Sequence, residues 1–370
     1  MPDFPYERLR RRPDVEADNL QAHDATDLFL VAHALDAGAD GTQIAVIGDE
    51  YGAITLALTD AGLSGVRVHQ DLATGRRALT LNAQELGLTG FTSHELDRTL
   101  LEGARLVLLQ LPKSLAELEE VADAVARWAA PDAVLVAGGR VKHMTLAQNE
   151  VLGRSFARVQ PQRAERKSRL IVASAPLPVP AEPAYPVRAE HDGLVLAAHG
   201  GAFAGARLDI GTRVLLDVLR DGAGAAADTV VDLGCGTGAL AASYALAHSD
   251  ARVIATDRSA AAVASARETV AANGLGARVT VMHDDAGSEL PDASADLVLL
   301  NPPFHLGSSV HTGAATRLFE AAARILRPGG ELLTVYNSSL GYRAELARLV
   351  GQTEQRRRTP KFTVTRSIRR

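Results

Sequence analysis

Between residues 229 and 238 the chain runs Thr229-Val-Val-Asp232-Leu-Gly234-Cys-Gly236-Thr-Gly238 and then enters an alanine-rich segment at Ala239. A β-branched stretch that turns on three glycines straight into a helix places the fold in the α/β class. The glycines allow a tight turn and close backbone approach, and the helix start presents unpaired N–H groups to whatever lies against it. Further units of the same kind follow. A strand at 252–256 ends in Asp257, and a helix opened by Ser259 ends near Asn273-Gly274. A strand at 279–282 leads to His283-Asp284-Asp285, and a buried strand starts at Asp296. A helix over 314–325 is closed by Arg327-Pro-Gly-Gly330, with a strand at 331–335 behind it. Upstream, Leu208-Asp209-Ile-Gly211-Thr212 introduces a helix to about Leu219, and the tail at 362–368 can supply closing antiparallel strands. Strands alternating with helices of about 10–15 residues predict a mostly parallel, doubly wound sheet.

The first half repeats this order in fainter form. A strand at 43–47 is followed by Gly48-Asp-Glu-Tyr-Gly52 and a helix, a short strand lies at 66–68, and a helical run starts at Asp71. A buried strand at 104–109 leads to Gln110-Leu-Pro-Lys113, then an amphipathic helix at 115–128 and a strand at 133–137 closed by Gly138-Gly139. Between the halves, Ser174-Ala-Pro-Leu-Pro-Val-Pro-Ala-Glu-Pro-Ala-Tyr-Pro186 carries too many prolines for a helix or central strand and reads as a linker over 174–188. Two domains are therefore expected, 1–173 and 189–370, and 370 residues at 46% hydrophobic suffice for two cores. The first domain reads as a duplicate whose site is erased, because acids occupy positions 49 and 50 of its glycine turn.

The chemistry is sharpest at Asp296-Leu-Val-Leu-Leu-Asn301-Pro302-Pro303-Phe304-His305. This turn offers an amide side chain, a free backbone carbonyl and a flat ring at the carboxyl end of a buried strand. Such groups accept hydrogen bonds from an exocyclic amine and stack on its heterocycle, as methylation of a nitrogen on a planar base requires. Prolines suit the turn because they fix φ and leave no backbone donor to compete. The upstream spacing Gly-x-Gly-x-Gly differs from the Gly-x-Gly-x-x-Gly of a pyrophosphate site. Asp232 suits a cationic ligand and would be a poor neighbour for pyrophosphate. Asp257, 19 residues past Gly238 (257 − 238), stands where an acid holds ribose hydroxyls, with Ser259 available as the helix cap.

These residues resemble the Asn-Pro-Pro-Phe/Tyr and glycine motifs of S-adenosylmethionine-dependent amino-methyltransferases, and His305 is typical of the ribosomal RNA guanine-N2 branch. Over nearly the whole chain the sequence resembles the tandem-domain members of that branch. The shared features are Leu111-Pro-Lys-Ser114, Ala137-Gly-Gly139, Arg166-Lys-Ser-Arg-Leu170, Leu208-Asp-Ile-Gly211, Asn337-Ser-Ser-Leu-Gly-Tyr342 and Lys361-Phe-Thr-Val364. The chain departs from the pattern at Gly341 and at Gly200-Gly-Ala-Phe203. The resemblance implies two tandem doubly wound, Rossmann-like class I methyltransferase domains, the first degenerate. It implies S-adenosyl-L-methionine as cofactor, held by Asp232, Gly234, Cys235, Gly236, Gly238, Asp257, Asp285 and Asn301, with Ala286 marking Asp285 as the acid for the adenine amine. Asn301, Pro302, Pro303 and Phe304 become the catalytic turn, and a role for His305 stays open. Asn19-Leu-Gln-Ala22, Tyr51-Gly-Ala53 and Leu72-Ala-Thr74 look like the large-subunit type, so N2 methylation of a guanine in 23S RNA is expected. The alternatives are 16S RNA, or an amino-methyltransferase acting on DNA, protein or a small amine. A non-enzymatic RNA-binding factor is a further rival, and a nicotinamide oxidoreductase a distant one.

Composition narrows the setting. The single Cys235 excludes an internal disulfide and fits a reducing cytosol. No uninterrupted apolar run approaches the roughly 18 residues of a membrane span, and the start lacks the plan of a signal peptide. The histidines show no metal-ligand spacing. A cytoplasmic monomer without metal, acting on ribosomal RNA, is the expectation. The net charge of −5 argues against a generally basic coat, which leaves local clusters to meet phosphates. The candidates are Arg8, Arg10, Arg11 and Arg12; Arg163, Arg166, Lys167 and Arg169; and Arg356, Arg357, Arg358, Lys361, Arg366, Arg369 and Arg370.

Overall fold

A computed structural model describes residues 4–303 and 309–370. The chain divides into two compact units, with the boundary between Tyr185 and Pro186. The first contains β1 (Ile44–Ile47), β2 (Val66–His69), β3 (Phe91–Ser93), β4 (Leu106–Gln110), β5 (Val134–Arg140), β6 (Phe156–Pro161) and β7 (Ser168–Pro176), in sheet order β3-β2-β1-β4-β5-β7-β6. The second opens with a hairpin, β8 (Val187–His191) and β9 (Leu194–Ala198). Its sheet comprises β10 (Thr229–Leu233), β11 (Arg252–Asp257), β12 (Val279–His283), β13 (Ala295–Leu300), β14 (Leu326–Asn337), β15 (Thr353–Arg358) and β16 (Phe362–Ile368). The order is β12-β11-β10-β13-β14-β16-β15, the same winding as in the first unit. The last pairings, β14 with β16 and β16 with β15, are antiparallel.

Parallel strands covered on both faces must be apolar where they are buried, and β13 meets that demand from Leu297 onward. Leu297 and Leu299 face one core with Val230 and Val253, while Val298 and Leu300 face the other with Phe319 and Leu332. The register aligns Leu233 of β10 with Thr256 of β11 and Leu300 of β13, so three strand ends open together. The winding reverses there, between β10 and β13, which is where open α/β sheets form a crevice.

The structure revises several boundaries. Residues 174–176 belong to β7 and 187–188 to β8, which narrows the extended proline-rich stretch to 177–186. Arg327-Pro-Gly-Gly330 lies inside β14, where the pairing with β13 slips between Ala295 and Leu297. Gly138 and Gly139 continue β5 instead of closing it. A Cβ at Gly138 would sit 2.6 Å from Thr26 Cγ2, so the glycine admits the helix Ala25–Ala37 against the strand. The β8–β9 hairpin turns on Asp192-Gly193, both at positive φ. Its edge is satisfied by helix side chains: Thr269 Oγ1 accepts from Ala197 N at 3.0 Å, and Asn273 Oδ1 accepts from Val195 N at 3.1 Å.

In the first unit the place of a glycine cradle is filled. Asp49 is fully buried and accepts from Gly52 N, Ile54 N and Thr55 N at 3.0, 3.3 and 2.7 Å. It takes the amides at the start of helix Ala53–Asp60 for the protein itself. Gln110, closing β4, donates to buried Asp27, whose carboxyl is pushed up to about 8 by burial. Phe4, Leu9 and Ala22 pack into the same core as Tyr51 and Leu108.

Candidate functional site

In the second unit a cavity of about 410 Å³ opens at the ends of β10, β11 and β13, lined among others by Gly234, Cys235, Gly236, Asp257, Asp285, Asn301 and Pro302. The glycine turn is built as the sequence predicts. Gly234 N and Cys235 N donate to Thr256 O at 2.8 and 2.9 Å, tying the turn to the end of β11. Gly238, at φ +78°, starts helix Ala239–Ala247, and a Cβ there would lie 3.1 Å from Ala266 Cβ. Only glycine meets both demands at once.

Asp257 stands at the cavity wall with both carboxylate oxygens engaged. Oδ2 accepts from Gly236 N at 2.9 Å and Oδ1 from Ser259 N at 2.9 Å. Ser259 caps helix Ala260–Ala272 through Ala262 N, as expected, so Asp257 is not consumed as a helix cap. It nevertheless braces the glycine turn while lining the cavity.

The two acids after β12 have different surroundings. Asp284 also lines the cavity but is 3% exposed and accepts from Ser288 Oγ and Glu289 N, within its own turn. Asp285 lines the cavity and forms an ion pair with Arg317, a cavity residue that sequence spacing did not single out. Asp232 lies elsewhere than expected. It is 1% exposed, absent from the cavity wall, and accepts from Ala241 N at 2.9 Å beneath the glycine turn. Burial pushes its carboxyl up to about 7, and its Oδ1 has no partner among the described residues. Cys235 is buried, and burial also raises its thiol, as suits a small packed residue of the turn.

Asn301 ends β13 with its amide oriented. Nδ2 donates to Thr212 Oγ1 at 3.0 Å and lies 3.4 Å from Asp209 Oδ2. Its Oδ1 is buried and has no partner among the described residues. Pro302 follows, buried and without an N–H, and Pro303 is exposed at the cavity. Phe304 and His305 lie outside the described residues. Besides Arg317, sequence reasoning missed Phe203, Arg207, Asp209 and Thr212 as cavity residues. Asp209-x-x-Thr212 has cap spacing and was legible as a helix start, but nothing local says that the cap would reach Asn301. Among the described residues no group of His, Cys, Asp or Glu could hold a metal ion, and no helix is long and apolar enough to cross a membrane.

Comparison with known proteins agrees with this geometry. The family model for the methyltransferase small domain matches residues 193–366, and that for the RLMG N-terminal domain matches residues 3–177. The ribosomal RNA large subunit methyltransferase G of Streptomyces avermitilis is 35% identical, with 98% of this chain and 97% of that protein aligned. The protein of the same name from Pseudomonas entomophila is 38% identical, over 97% of this chain and 96% of its own. Among solved structures, a T. Thermophilus 16S rRNA N2 methyltransferase in complex with AdoMet and guanosine superimposes with a TM-score of 0.75. That match is 22% identical and covers 94% of this chain and 92% of the other, which establishes the shared fold.

Proposed function

The chain belongs to the ribosomal RNA large subunit methyltransferase G family, and on that footing we propose that it transfers a methyl group from S-adenosylmethionine to the exocyclic N2 amine of a guanine in large-subunit ribosomal RNA. One observation carries the reading of the site: a buried amide oxygen, Asn301 Oδ1, has no partner among the described residues, at a strand end whose next residue, Pro302, offers a carbonyl and no competing N–H.

The residues present fit the cofactor. The cavity meets the glycine turn on one side and Asn301 on the other, with Asp257 and Asp285 along its wall. Asp257 would hold the ribose hydroxyls, and Asp285 the adenine amine once Arg317 yields its place. Asp232, behind the turn, would act through the backbone that it braces. When bound, the cofactor supplies an electrophilic methyl group. Asn301 Oδ1 and the Pro302 carbonyl accept the two N2 protons and aim the nitrogen lone pair. No strong base is needed before attack, because the methylated ammonium is acidic and loses its proton afterward. Positioning then supplies most of the rate. Extruding the guanine costs a few kcal/mol, less in single-stranded RNA. Labelled cofactor offered with deproteinised 23S RNA, 16S RNA and DNA tests this: N2-methylguanine in 23S RNA is expected, and label in 16S RNA or DNA alone would overturn the assignment.

The first unit is proposed to grip the RNA, and the structure sorts the basic clusters. Arg356, Arg357 and Arg366 pair with Glu354, with Asp217 and Asp221, and with Glu331. Arg11 lies over the Tyr51 ring, and Arg12 pairs with Glu85. Arg163, Arg166 and Lys167, at the β6–β7 hairpin, are exposed and have no acid partner among the described residues. Arg166 and Lys167 form the two-residue loop between Glu165 and Ser168, at φ +47° and +64°. Such a loop ordinarily takes Asn-Gly, so the hairpin carries two cations where they strain the backbone. The double substitution Arg166→Asn with Lys167→Gly should keep the turn yet weaken RNA binding, with a salt slope shallower by up to about 2. An unchanged affinity and slope would remove the hairpin from the interface. On this reading the enzyme works in the cytoplasm as a monomer, without metal; the lone buried Cys235 suits that setting.

A further inference from the structure

The orientation of Asn301 is set from outside its own strand. Both groups that receive its Nδ2 belong to the first turn of helix Ile210–Arg220: Thr212 Oγ1 at 3.0 Å and Asp209 Oδ2 at 3.4 Å. Asp209 is also the N-cap, with Oδ2 accepting from Gly211 N at 2.9 Å and Thr212 N at 3.4 Å. Gly211 keeps the pieces close, since a Cβ there would lie 3.0 Å from Asp209 Oδ2 and 3.4 Å from Asn301 Oδ1. The remaining polar atom of the set, Asn301 Oδ1, is buried with no partner among the described residues.

We propose that Asp209 and Thr212 are positioning residues that lock the Asn301 amide in one of its two orientations, so that an acceptor and not a donor meets the reacting amine. The proposal rests on the reading of Asn301 as the acceptor for that amine. A primary amide is nearly symmetrical in shape and opposite in polarity at its two ends. Rotated by half a turn, Asn301 would set its N–H groups against the N–H groups of the amine, and would set its oxygen against the Asp209 carboxylate. In the observed orientation, the carboxylate and the hydroxyl behind Nδ2 polarise the amide and strengthen Oδ1 as an acceptor. The helix cap thus has a second task beyond starting the helix: it selects for an exocyclic amine at the end of β13 and against a ring carbonyl.

The test uses the full chain, deproteinised ribosomal RNA and S-adenosylmethionine. Thr212→Val removes the acceptor at nearly constant shape, and Thr212→Ser restores it. Asp209→Asn keeps a competent cap and removes the charge. For Thr212→Val the expected result is a kcat lower by roughly tenfold or more, with calorimetric cofactor affinity and the KM for RNA little changed, as for an interaction realised in the transition state. Thr212→Ser should recover most of the turnover, and Asp209→Asn should move kcat in the same direction as the valine. Combined with Asn301→Ala, the valine should cost nothing more, because both act through one amide. Wild-type kcat in both Thr212→Val and Asp209→Asn, or losses that add to that of Asn301→Ala, would overturn the lock. If Asn301→Ala itself turns over normally, the acceptor reading falls and the lock with it; if Asn301→Ala is inactive while Thr212→Val and Asp209→Asn are both normal, the lock falls alone.

Discussion

Replacing Asn301 with alanine should leave cofactor affinity largely intact and lower methyl transfer by a factor on the order of 10² or more. On the proposed mechanism the lost group would touch the amine and not the methyl donor's ribose or adenine, which Asp257 and Asp285 would hold. Asp209, one of its orienting contacts, is also held in the helix cap by Gly211 N and Thr212 N, so removing the amide leaves the cap in place. A single-turnover assay on deproteinised ribosomal RNA, paired with calorimetry on the same preparation, separates the two effects. Turnover near that of the unsubstituted chain would refute the mechanism, whatever the affinity.

Asp257→Ala should do the reverse and act on binding. Losing charge-assisted hydrogen bonds to two ribose hydroxyls should weaken S-adenosylmethionine binding by roughly 1.5–3 kcal/mol, or about ten- to a hundredfold in Kd. The structure adds a complication that the sequence did not carry. Asp257 also accepts from Gly236 N, so the alanine loosens the glycine turn as well as the ribose contact. Asp257→Asn keeps an acceptor for Gly236 and separates the two contributions. An asparagine variant with full affinity assigns Asp257 to bracing the turn, and an unchanged affinity in a folded alanine variant removes both roles.

Part of the site was legible because its signals are local. The glycine turn, Ser259 as cap and the Asn301-Pro302-Pro303 strand end are each encoded within a few residues, and the structure builds them where the sequence places them. The amphipathic helix expected at 115–128 is observed at Leu115–Trp128 for the same reason: helical periodicity records which face is buried. Asp232 was misplaced because an acid after a β-branched run carries no record of whether it faces the cavity or the backbone behind it. In the structure it braces Ala241 from beneath. The β8–β9 hairpin was passed over although Asp192-Gly193 signals one, since the proline-rich stretch beside it drew the reading toward a linker.

By itself the sequence determined the alternation of strands and helices, the doubled winding, the cofactor turn and the amide at the end of β13, because each follows from side-chain periodicity or from backbone needs within one turn. Only the tertiary structure decided which distant groups meet. Asn301 takes its orientation from Thr212 and Asp209, 89 and 92 residues away, and Arg357 is neutralised by Asp217 and Asp221, 140 and 136 residues away. Such partners are brought together by strand order, which sets β13 against β10 and β14 and folds the helix Ile210–Arg220 over the sheet. Local patterning records whether a side chain is buried and leaves its partner unstated. The physical reason is that burial is a property of one residue's surroundings, whereas a hydrogen bond or ion pair depends on the positions of two.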